Sequence, residues 1–217
     1  MGVSVLVYGK SGSGKSRSLK GFGPDEVFLI NPIGKQLPFP GRFRYTVKTD
    51  QYPTIKNGLK KMQEKGIRCA VIDDAGYLLT NQFMRGHALP KAGASTFDLY
   101  NDIGDNFWDL LTFVQNDLPD DVIVYILMHE VTNDYGDTKL RTIGKLLDEK
   151  VCIEGMVTVA IRCLTEGDRH YFRTQSDGSD ISKSPEGMLP LEMDNDLKAV
   201  DTAIRAYWGM EEGRADG

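Results

Sequence analysis

Apolar and polar residues follow one another along the chain in blocks that predict strands and helices in turn. Four short apolar runs rich in β-branched residues predict buried strands at residues 3–8, 26–31, 69–74 and 122–128. Apolar residues recur at helical spacing over 54–65 and 97–116. Two further runs, 156–164 and 169–174, predict a terminal pair of strands. This order predicts an α/β fold with a mainly parallel sheet, helices on both faces and a C-terminal β-ribbon.

Two stretches, 75–96 and 131–150, fit neither pattern. Each follows the carboxyl end of a predicted buried strand, which is the edge where α/β proteins bind ligands. We therefore expect substrate contacts there. The predicted elements form one core over residues 1–190, followed by an acidic and partly helical tail over 191–217.

Composition excludes several classes of protein. The 217 residues are 41% hydrophobic and 26% charged, with a net charge of −5, which excludes wholesale disorder, collagen-like repeats and disulfide miniproteins. The three cysteines contain no C-x-x-C pair, which favours a reducing compartment over a disulfide framework or a zinc site. No apolar run approaches the ~18 residues of a membrane span, and no signal peptide is evident. We expect a cytoplasmic protein without a membrane partner.

Charge is distributed unevenly despite the small total. Residues 35–68 contain nine basic and two acidic side chains, whereas residues 177–216 contain ten acidic and four basic ones. A basic patch of this kind can guide a phosphate backbone, and an acidic tail can compete with that backbone or recruit a partner. The alternative is that both stretches are ordinary solvated surfaces.

The first predicted strand runs directly into a glycine-rich segment at residues 9–16. This segment, G-K-S-G-S-G-K-S, matches the phosphate-binding pattern G-x-x-x-x-G-K-[ST] at every specified position, and a helix-compatible stretch follows it. Its backbone N–H groups would converge on phosphate oxygens, Lys15 would reach the β and γ phosphates, and Ser16 would hold Mg²⁺. The residues expected to bind the nucleotide are Gly9, Lys10, Ser11, Gly12, Ser13, Gly14, Lys15, Ser16 and Arg17.

A phosphate-binding loop needs a second acid to complete a magnesium site. Asp73 and Asp74 end the apolar run at 69–72, as expected for a central parallel strand whose carboxyl end faces a ligand. We expect Asp73 to bind Mg²⁺ together with Ser16, directly or through water. The alternative is a strand that simply ends in a polar turn.

His129 and Glu130 end the strand predicted at 122–128. They are expected at the end of the sheet where Asp73 ends a neighbouring strand. A polar side chain in this position can sense the γ-phosphate or orient the attacking water. A structural histidine and an ordinary turn carboxylate are the alternatives. The residues expected to take part in catalysis are Lys15, Asp73, Asp74, His129 and Glu130.

The polar stretch 131–150 carries Tyr135 and the cations Lys139, Arg141 and Lys145. Its basic and acidic residues cancel, so bulk electrostatics does not favour DNA binding. Single side chains could still contact a strand of DNA or reach the nucleotide of a neighbouring subunit. For Arg141, a trans-acting finger, a DNA contact and a plain surface residue all remain open.

Together these features resemble the compact, core-only RecA-like P-loop ATPases of bacteriophages. The resemblance covers roughly residues 3–190, and the glycine-rich segment is its most specific part. Its other parts are the strands ending at Ile72-Asp73 and at Met128-His129-Glu130, the stretch running to Gly144-Lys145-Leu146, and the ribbon leading to Lys183-Ser184-Pro185-Glu186-Gly187.

The resemblance implies a RecA-like P-loop fold in which Lys15, Ser16 and Asp73 bind MgATP. It implies that His129 and Glu130 occupy a sensor position and that residues 131–147 face DNA. It also implies a homo-oligomer with ATP between protomers, in which Lys183 reaches across the interface. Members of this family act in single-strand annealing recombination with single-stranded DNA and single-strand-binding proteins, in the cytoplasm of the phage host.

One departure from the family concerns the catalytic glutamate that usually follows the second strand. The corresponding residues here are Ile30, Asn31 and Pro32. An amide orients water but cannot accept its proton, so either hydrolysis is slow or Asp74 or Glu130 substitutes.

Three other functions remain open. Residues 73–76 match the D-x-x-G of GTPases, although no N-K-x-D guanine motif follows. A phosphotransferase would use residues 75–96 as an acceptor lid, where Arg85 is the single arginine. A nucleotide-gated adaptor in phage DNA replication or packaging would recruit partners through the acidic tail without useful turnover.

Overall fold

The computed structural model describes residues 1–88, 96–143, 147 and 151–210. Its strands are β1 Val3–Gly9, β2 Val27–Ile30, β3 Tyr45–Val47, β4 Cys69–Ile72, β5 Ile123–Thr132, β6 Thr138–Leu140, β7 Val159–Glu166, β8 Arg169–Arg173 and β9 Glu192–Asp194. Its α-helices are α1 Tyr52–Met62, α2 Gly76–Ala88, α3 Thr96–Asp117 and α4 Leu197–Trp208.

The strands form a mixed, mostly parallel sheet in the order β3-β2-β4-β5-β1-β7-β8-β9, with β6 paired to β5. The pairs from β3 to β7 are parallel, and β8 and β9 add an antiparallel ribbon. The register of β1 against β5 places Gly9 level with His129. The predicted α/β class, parallel sheet and C-terminal ribbon are therefore confirmed.

Both faces of the sheet are covered because its central strands are apolar on both sides. Leu6, Ile72 and Ile126 pack in the core that includes α1, α2 and α3. Val7, Val71 and Leu127 pack on the other face, in the core that includes α4 and the short 3₁₀ helix Ser16–Gly21. Helices on both faces were predicted and are present. In the described ranges, no helix is both long and apolar enough to cross a membrane.

The two stretches without a predicted element contain regular structure where they are described. Residues 76–88 form α2, which packs against α3, and a Cβ at Gly86 would collide with the side chain of Leu99. β5 continues to Thr132 and returns through β6 as a hairpin. Residues 89–95, 144–146 and 148–150 lie outside the described part of the chain.

The segment expected as an acidic tail is part of the fold as far as residue 210. β9 pairs with β8, and Asp196 caps α4 by accepting hydrogen bonds from the backbone N–H groups of Lys198 and Ala199. Leu197, Val200 and Ile204 of α4 are buried in the same core as β1. The expected boundary at residue 190 therefore does not separate the core from a tail, and residues 211–217 are not among those described.

Candidate functional site

The glycine-rich segment forms a tight loop between β1 and the 3₁₀ helix. Gly12 and Gly14 have φ angles of 81° and 103°, a region of backbone conformation that favours glycine. A Cβ at Gly9 would collide with the carbonyl oxygen of Cys163 on β7. The glycines are thus required both by the turn and by the close approach of β7.

Lys15 points back across this loop. Its Nζ donates to the carbonyl oxygens of Gly9 at 2.9 Å and Lys10 at 2.8 Å, and lies 3.4 Å from Nδ1 of His129. Burial lowers the pKa of the Lys15 ammonium, and the opposing charge of Asp74 does not restore it fully. A partly desolvated cation of this kind gains strongly from an arriving anion.

Ser16 and Asp73 meet although 57 residues separate them along the chain. The Ser16 Oγ donates a hydrogen bond to Asp73 Oδ1 at 2.7 Å. Burial raises the pKa of Asp73, and the neighbouring charge of Asp74 adds to the effect. The hydroxyl and carboxylate proposed from the sequence as a metal pair are therefore in contact, in a setting that penalises an uncompensated negative charge.

Asp74 is held by two partners in a conformation that is unusual for a residue other than glycine, with φ of 60°. Lys35 Nζ lies 3.2 Å from its Oδ2, and His129 Nε2 lies 3.2 Å from its Oδ1. Burial alone would raise the pKa of Asp74, but the hydrogen bond from His129 and the charge of Lys35 lower it to about 2. Asp74 is therefore an ionised acceptor at neutral pH.

His129 connects the lysine of the loop to this carboxylate. Because the Lys15 ammonium has only donors, the short path Lys15–His129–Asp74 fits an imidazole that accepts at Nδ1 and donates at Nε2. The sequence placed His129 level with Asp73 and Asp74, and the structure brings it between Asp74 and Lys15.

These groups line a cavity of about 330 Å³ at the carboxyl ends of β1, β4 and β5. Its walls include backbone and side chains of the loop, the residue Asp74, and His129. The size lies in the range of sites that bind small molecules. Among the described residues, no group of three or more His, Cys, Asp and Glu side chains could hold a metal by itself.

Three residues that the sequence did not single out support the loop from behind. The Ser13 carbonyl oxygen accepts from Cys163 Sγ at 3.0 Å and from His170 Nδ1 at 2.8 Å, and His170 also lines the cavity. Asn195 donates to Cys163 Sγ at 3.2 Å and accepts from Arg17. Because β7, β8 and the residue before the N-cap of α4 supply these contacts to the loop from 150 or more residues away, no local motif indicates them.

Glu130 faces away from this cavity. Both of its oxygens accept from Arg162, at 2.8 and 2.9 Å, and Arg162 also binds Thr138 and Asp180. The hydrogen bonds that Arg162 donates to Glu130 raise the pKa of the Arg162 guanidinium. Glu130 therefore serves as the buried anchor of the β5–β6 hairpin, and its geometry gives no support to a role as base.

The side chain of Asn31 is also occupied by structural hydrogen bonds. Its Nδ2 donates to the Lys35 carbonyl oxygen at 2.7 Å, and its Oδ1 accepts from the backbone N–H groups of Gly34 and Lys35. Both ends of the amide are thus used to hold the turn that follows β2. This turn places Lys35, another residue that the sequence did not single out, at the cavity wall.

The residues proposed to contact DNA or a neighbouring subunit lie elsewhere. Lys139 and Arg141 are exposed on the β5–β6 hairpin, whose tip carries Tyr135 at 92% exposure. Lys183 is partly exposed and pairs through its backbone with Ala160 of β7. Lys145 lies outside the described residues.

The basic stretch 35–68 is largely neutralised by pairing. Five of its nine cations contact acidic side chains, in the pairs Lys35–Asp74, Arg44–Asp25, Lys56–Asp109, Lys60–Asp117 and Arg68–Asp121. The arginine of the predicted acceptor lid, Arg85, is likewise bound to Asp50 at 2.5 Å rather than directed at the cavity. The cations of this stretch that are paired in the described structure therefore do not form a continuous basic surface.

The arrangement of loop, carboxylates and histidine is suited to holding a chain of phosphates against a divalent cation. No protein-family model matches this chain, and a search of curated proteins finds no relative of its sequence.

Proposed function

We propose that this protein binds and hydrolyses ATP with Mg²⁺ and acts on single-stranded DNA in phage recombination or single-strand annealing, as a RecA-like P-loop ATPase. The observation that supports nucleotide binding best is the convergence of three strand ends on one cavity. Lys15, Asp74 and His129 follow β1, β4 and β5, line this cavity and lie in one network of contacts, although Lys15 and His129 are 114 residues apart in the sequence. A glycine-rich turn without function would not require these partners.

The loop supplies the phosphate-binding groups. Gly12 and Gly14 allow the tight turn of the backbone, a conformation in which N–H groups can converge on an anion, and Lys15 adds a buried positive charge beside them. Phosphate oxygens would satisfy these donors together.

Ser16 and Asp73 fit a magnesium ion. Adjacent ligands of an octahedral Mg²⁺ would lie about 3.0 Å apart for metal–oxygen bonds of about 2.1 Å. The Ser16–Asp73 separation of 2.7 Å is close to that value. With two protein oxygens, the remaining positions belong to phosphate and water, as is common for Mg²⁺. When bound, Mg²⁺ would neutralise charge that develops on the transferred phosphoryl group.

Asp74 and His129 are the groups that would position the attacking water. Phosphoryl transfer depends mainly on positioning and charge stabilisation. An ionised Asp74 is a weak base, with its pKa of about 2, but its contacts with His129 and Lys35 orient it as an acceptor for a water proton. Because neither Asn31 nor Glu130 is free for this step, we expect slow turnover.

The DNA part of the proposal rests on the resemblance and on the β5–β6 hairpin. The hairpin continues the strand that carries His129, and Arg141 N–H donates to the His129 carbonyl oxygen at 2.8 Å. A contact made by the exposed hairpin can therefore reach the nucleotide site through one continuous element. DNA-stimulated turnover would have this physical route.

The test is phosphate release from ATP and from GTP, each with and without single-stranded DNA. Lys15→Ala should lower ATP turnover by at least ~100-fold, because it removes the charge placed on the phosphates. Lys20→Ala is the matched control, since Lys20 is an exposed lysine of the following 3₁₀ helix. Wild-type turnover in Lys15→Ala would overturn the assignment of the site.

The DNA arm separates the proposal from its alternatives. Stimulation of ATP turnover by single-stranded DNA would support the recombination role. Preference for GTP, or turnover that is indifferent to DNA, would favour a GTPase or phosphotransferase. The involvement of Asn31 and Glu130 in structural contacts specifically favours a second candidate, a nucleotide-gated adaptor. Tight nucleotide binding without measurable turnover would identify it.

A further inference from the structure

The turn after β2 forms one wall of the phosphate cavity. Asn31 fixes the backbone of this turn through three hydrogen bonds, and Gly34 adopts a φ of 69° at its corner. Lys35 follows directly and lines the cavity opposite the glycine-rich loop, together with Gln36 and Pro38. The main chain of Lys35 is thus held in place while its side chain remains adjustable.

The side chain of Lys35 has one acidic partner and a solvent-facing stem. Its Nζ contacts Asp74 Oδ2 at 3.2 Å, and 57% of the side chain is exposed, against 5% for Asp74. Although burial alone would lower it, the pKa of Lys35 is raised by the charge and hydrogen bond of Asp74. Lys35 therefore remains charged, and its four-carbon stem allows the ammonium to move without disturbing the turn.

Lys35 and Lys15 occupy the two ends of one chain of contacts. The path runs from Lys35 to Asp74, then to His129 and to Lys15, with steps of 3.2, 3.2 and 3.4 Å. Asp74 in the middle of this path carries a negative charge. A terminal phosphate that enters between the two ammonium groups would meet this carboxylate, so a cation must lie between the two anions to offset their repulsion.

We propose that Lys35 binds the terminal phosphate of the nucleoside triphosphate from the side opposite Lys15, bridging it to Asp74. This inference rests on the proposed function and adds to it a residue that distinguishes a triphosphate from a diphosphate. It also gives the site a further cation from the same chain, beside Lys15 and Arg17, so that charge stabilisation at the terminal phosphate does not depend on a neighbouring subunit.

The experiment compares the affinities of a non-hydrolysable ATP analogue and of ADP, both with Mg²⁺, by calorimetric titration. Lys35→Ala should weaken binding of the ATP analogue by about 10- to 100-fold, the range for a lost hydrogen bond to a charged group, while ADP affinity changes less than about twofold. Lys35→Arg should recover part of the loss, since it retains the charge. Lys65→Ala, at an exposed lysine of the short helix after α1, is the control for net charge.

Two outcomes would overturn the inference alone. One is unchanged affinity for the ATP analogue in Lys35→Ala, and the other is an equal loss for ATP analogue and ADP, which would place Lys35 away from the terminal phosphate. Failure of the wild-type protein to bind either nucleotide would instead overturn the proposed function, and this inference with it. Loss of both nucleotides in Lys15→Ala beside a selective loss in Lys35→Ala would support both.

Discussion

At the scale of single residues, the site combines two neighbouring carboxyl groups whose surroundings shift their pKa values in opposite directions. Burial raises the pKa of Asp73, whereas contacts with His129 and Lys35 lower the pKa of Asp74 to about 2 despite its burial. A group with a raised pKa stabilises the fold only below its unfolded pKa, and that contribution is lost as the pH rises through the folded pKa. At neutral pH, Asp73 therefore lowers the free energy of unfolding, as expected for a group kept for binding.

Asp73→Asn should separate function from stability. The amide still accepts from Ser16 but lacks the charge, so Mg²⁺-dependent turnover should fall by about 100-fold while nucleotide affinity changes only a few-fold. Without the buried charge, Tm should rise by a few degrees, the effect of ~1 kcal/mol in a protein of this length. Thermal unfolding from pH 7 to 4 should show the difference shrinking, because wild-type Asp73 takes up a proton.

Asp168→Asn, in the exposed turn between β7 and β8, is the control for that substitution. A lower Tm for Asp73→Asn at pH 7, or equal losses of turnover and affinity, would show that Asp73 is structural.

The residues of the site differ in how far the sequence could indicate them. Lys15 and Ser16 belong to a local pattern, and Asp73 and His129 follow runs that are recognisably buried strands. Lys35, His170 and Cys163 reach the loop through the sheet order and the turn after β2, which depend on pairings between distant segments. Asn31 was expected near the reacting water, yet its amide is used by the backbone of its own turn.

At the scale of elements, the β5–β6 hairpin is fixed at its base and free at its tip. Arg162 of β7 binds Glu130 and Thr138 of the hairpin and Asp180 of the loop before Ser182. Glu130 and Asp180 have almost no exposed side-chain surface. The base of the hairpin therefore depends on the Arg162 guanidinium, which pairs with both buried carboxylates, whereas Arg173 contacts only Asp180, at 3.8 Å.

Removing that guanidinium should have a large effect on stability. Arg162→Ala leaves Glu130 buried without its cationic partner, while Asp180 keeps only Arg173 at 3.8 Å, and breaking a buried pair in this way typically costs about 3–5 kcal/mol. Urea unfolding would measure the change. Arg169→Ala is the matched control on the neighbouring strand, because its pair with Glu192 is exposed and contributes about 0–1 kcal/mol. Equal, small effects of the two substitutions would exclude an essential role for the Arg162 cluster.

The elements predicted from periodicity are those that bury a long apolar stripe. The central strands and helices α1 and α3 are of this kind, with α3 burying Phe107, Leu111 and Val114. β3, β6 and β9 have three residues each and leave no periodic signal. α2 buries Leu78 and Leu79 but contains two glycines, one of which is needed for its contact with α3. Tertiary packing, rather than local propensity, determines these elements.

At the scale of the whole molecule, α4 joins the C-terminal part of the chain to the centre of the sheet. Tyr125 of β5 is fully buried and donates to Asp201 of α4 at 3.0 Å. Arg205 binds Asp201 and the carbonyl oxygens of Asp121 and Arg68 at the opposite edge from the cavity. Asp201, one of the acidic residues of this region, therefore has a structural role.

Truncation should distinguish the fold from any tail beyond it. A chain ending at Asp194 loses α4 with its buried Leu197, Val200 and Ile204, and we expect it not to fold cooperatively. A chain ending at Met210 keeps every described element and should retain its Tm within about 2 °C and its nucleotide affinity. Thermal unfolding of both chains, followed by circular dichroism, measures the contrast. A cooperative transition in the shorter chain would show that α4 is dispensable.

The position of β1 in the sheet has a consequence for the order in which the protein acquires its activity. β1 precedes both of its neighbours along the chain, since these are β5, which ends at Thr132, and β7, which ends at Glu166. Pairings between such distant segments form late, because a long chain must be ordered to bring them together. A growing polypeptide thus contains the entire glycine-rich segment long before the strands that surround it in the folded protein have been made. The cavity is therefore complete only once β7 has joined the sheet, so a chain that stops before Glu166 would not present a finished site for the proposed nucleotide.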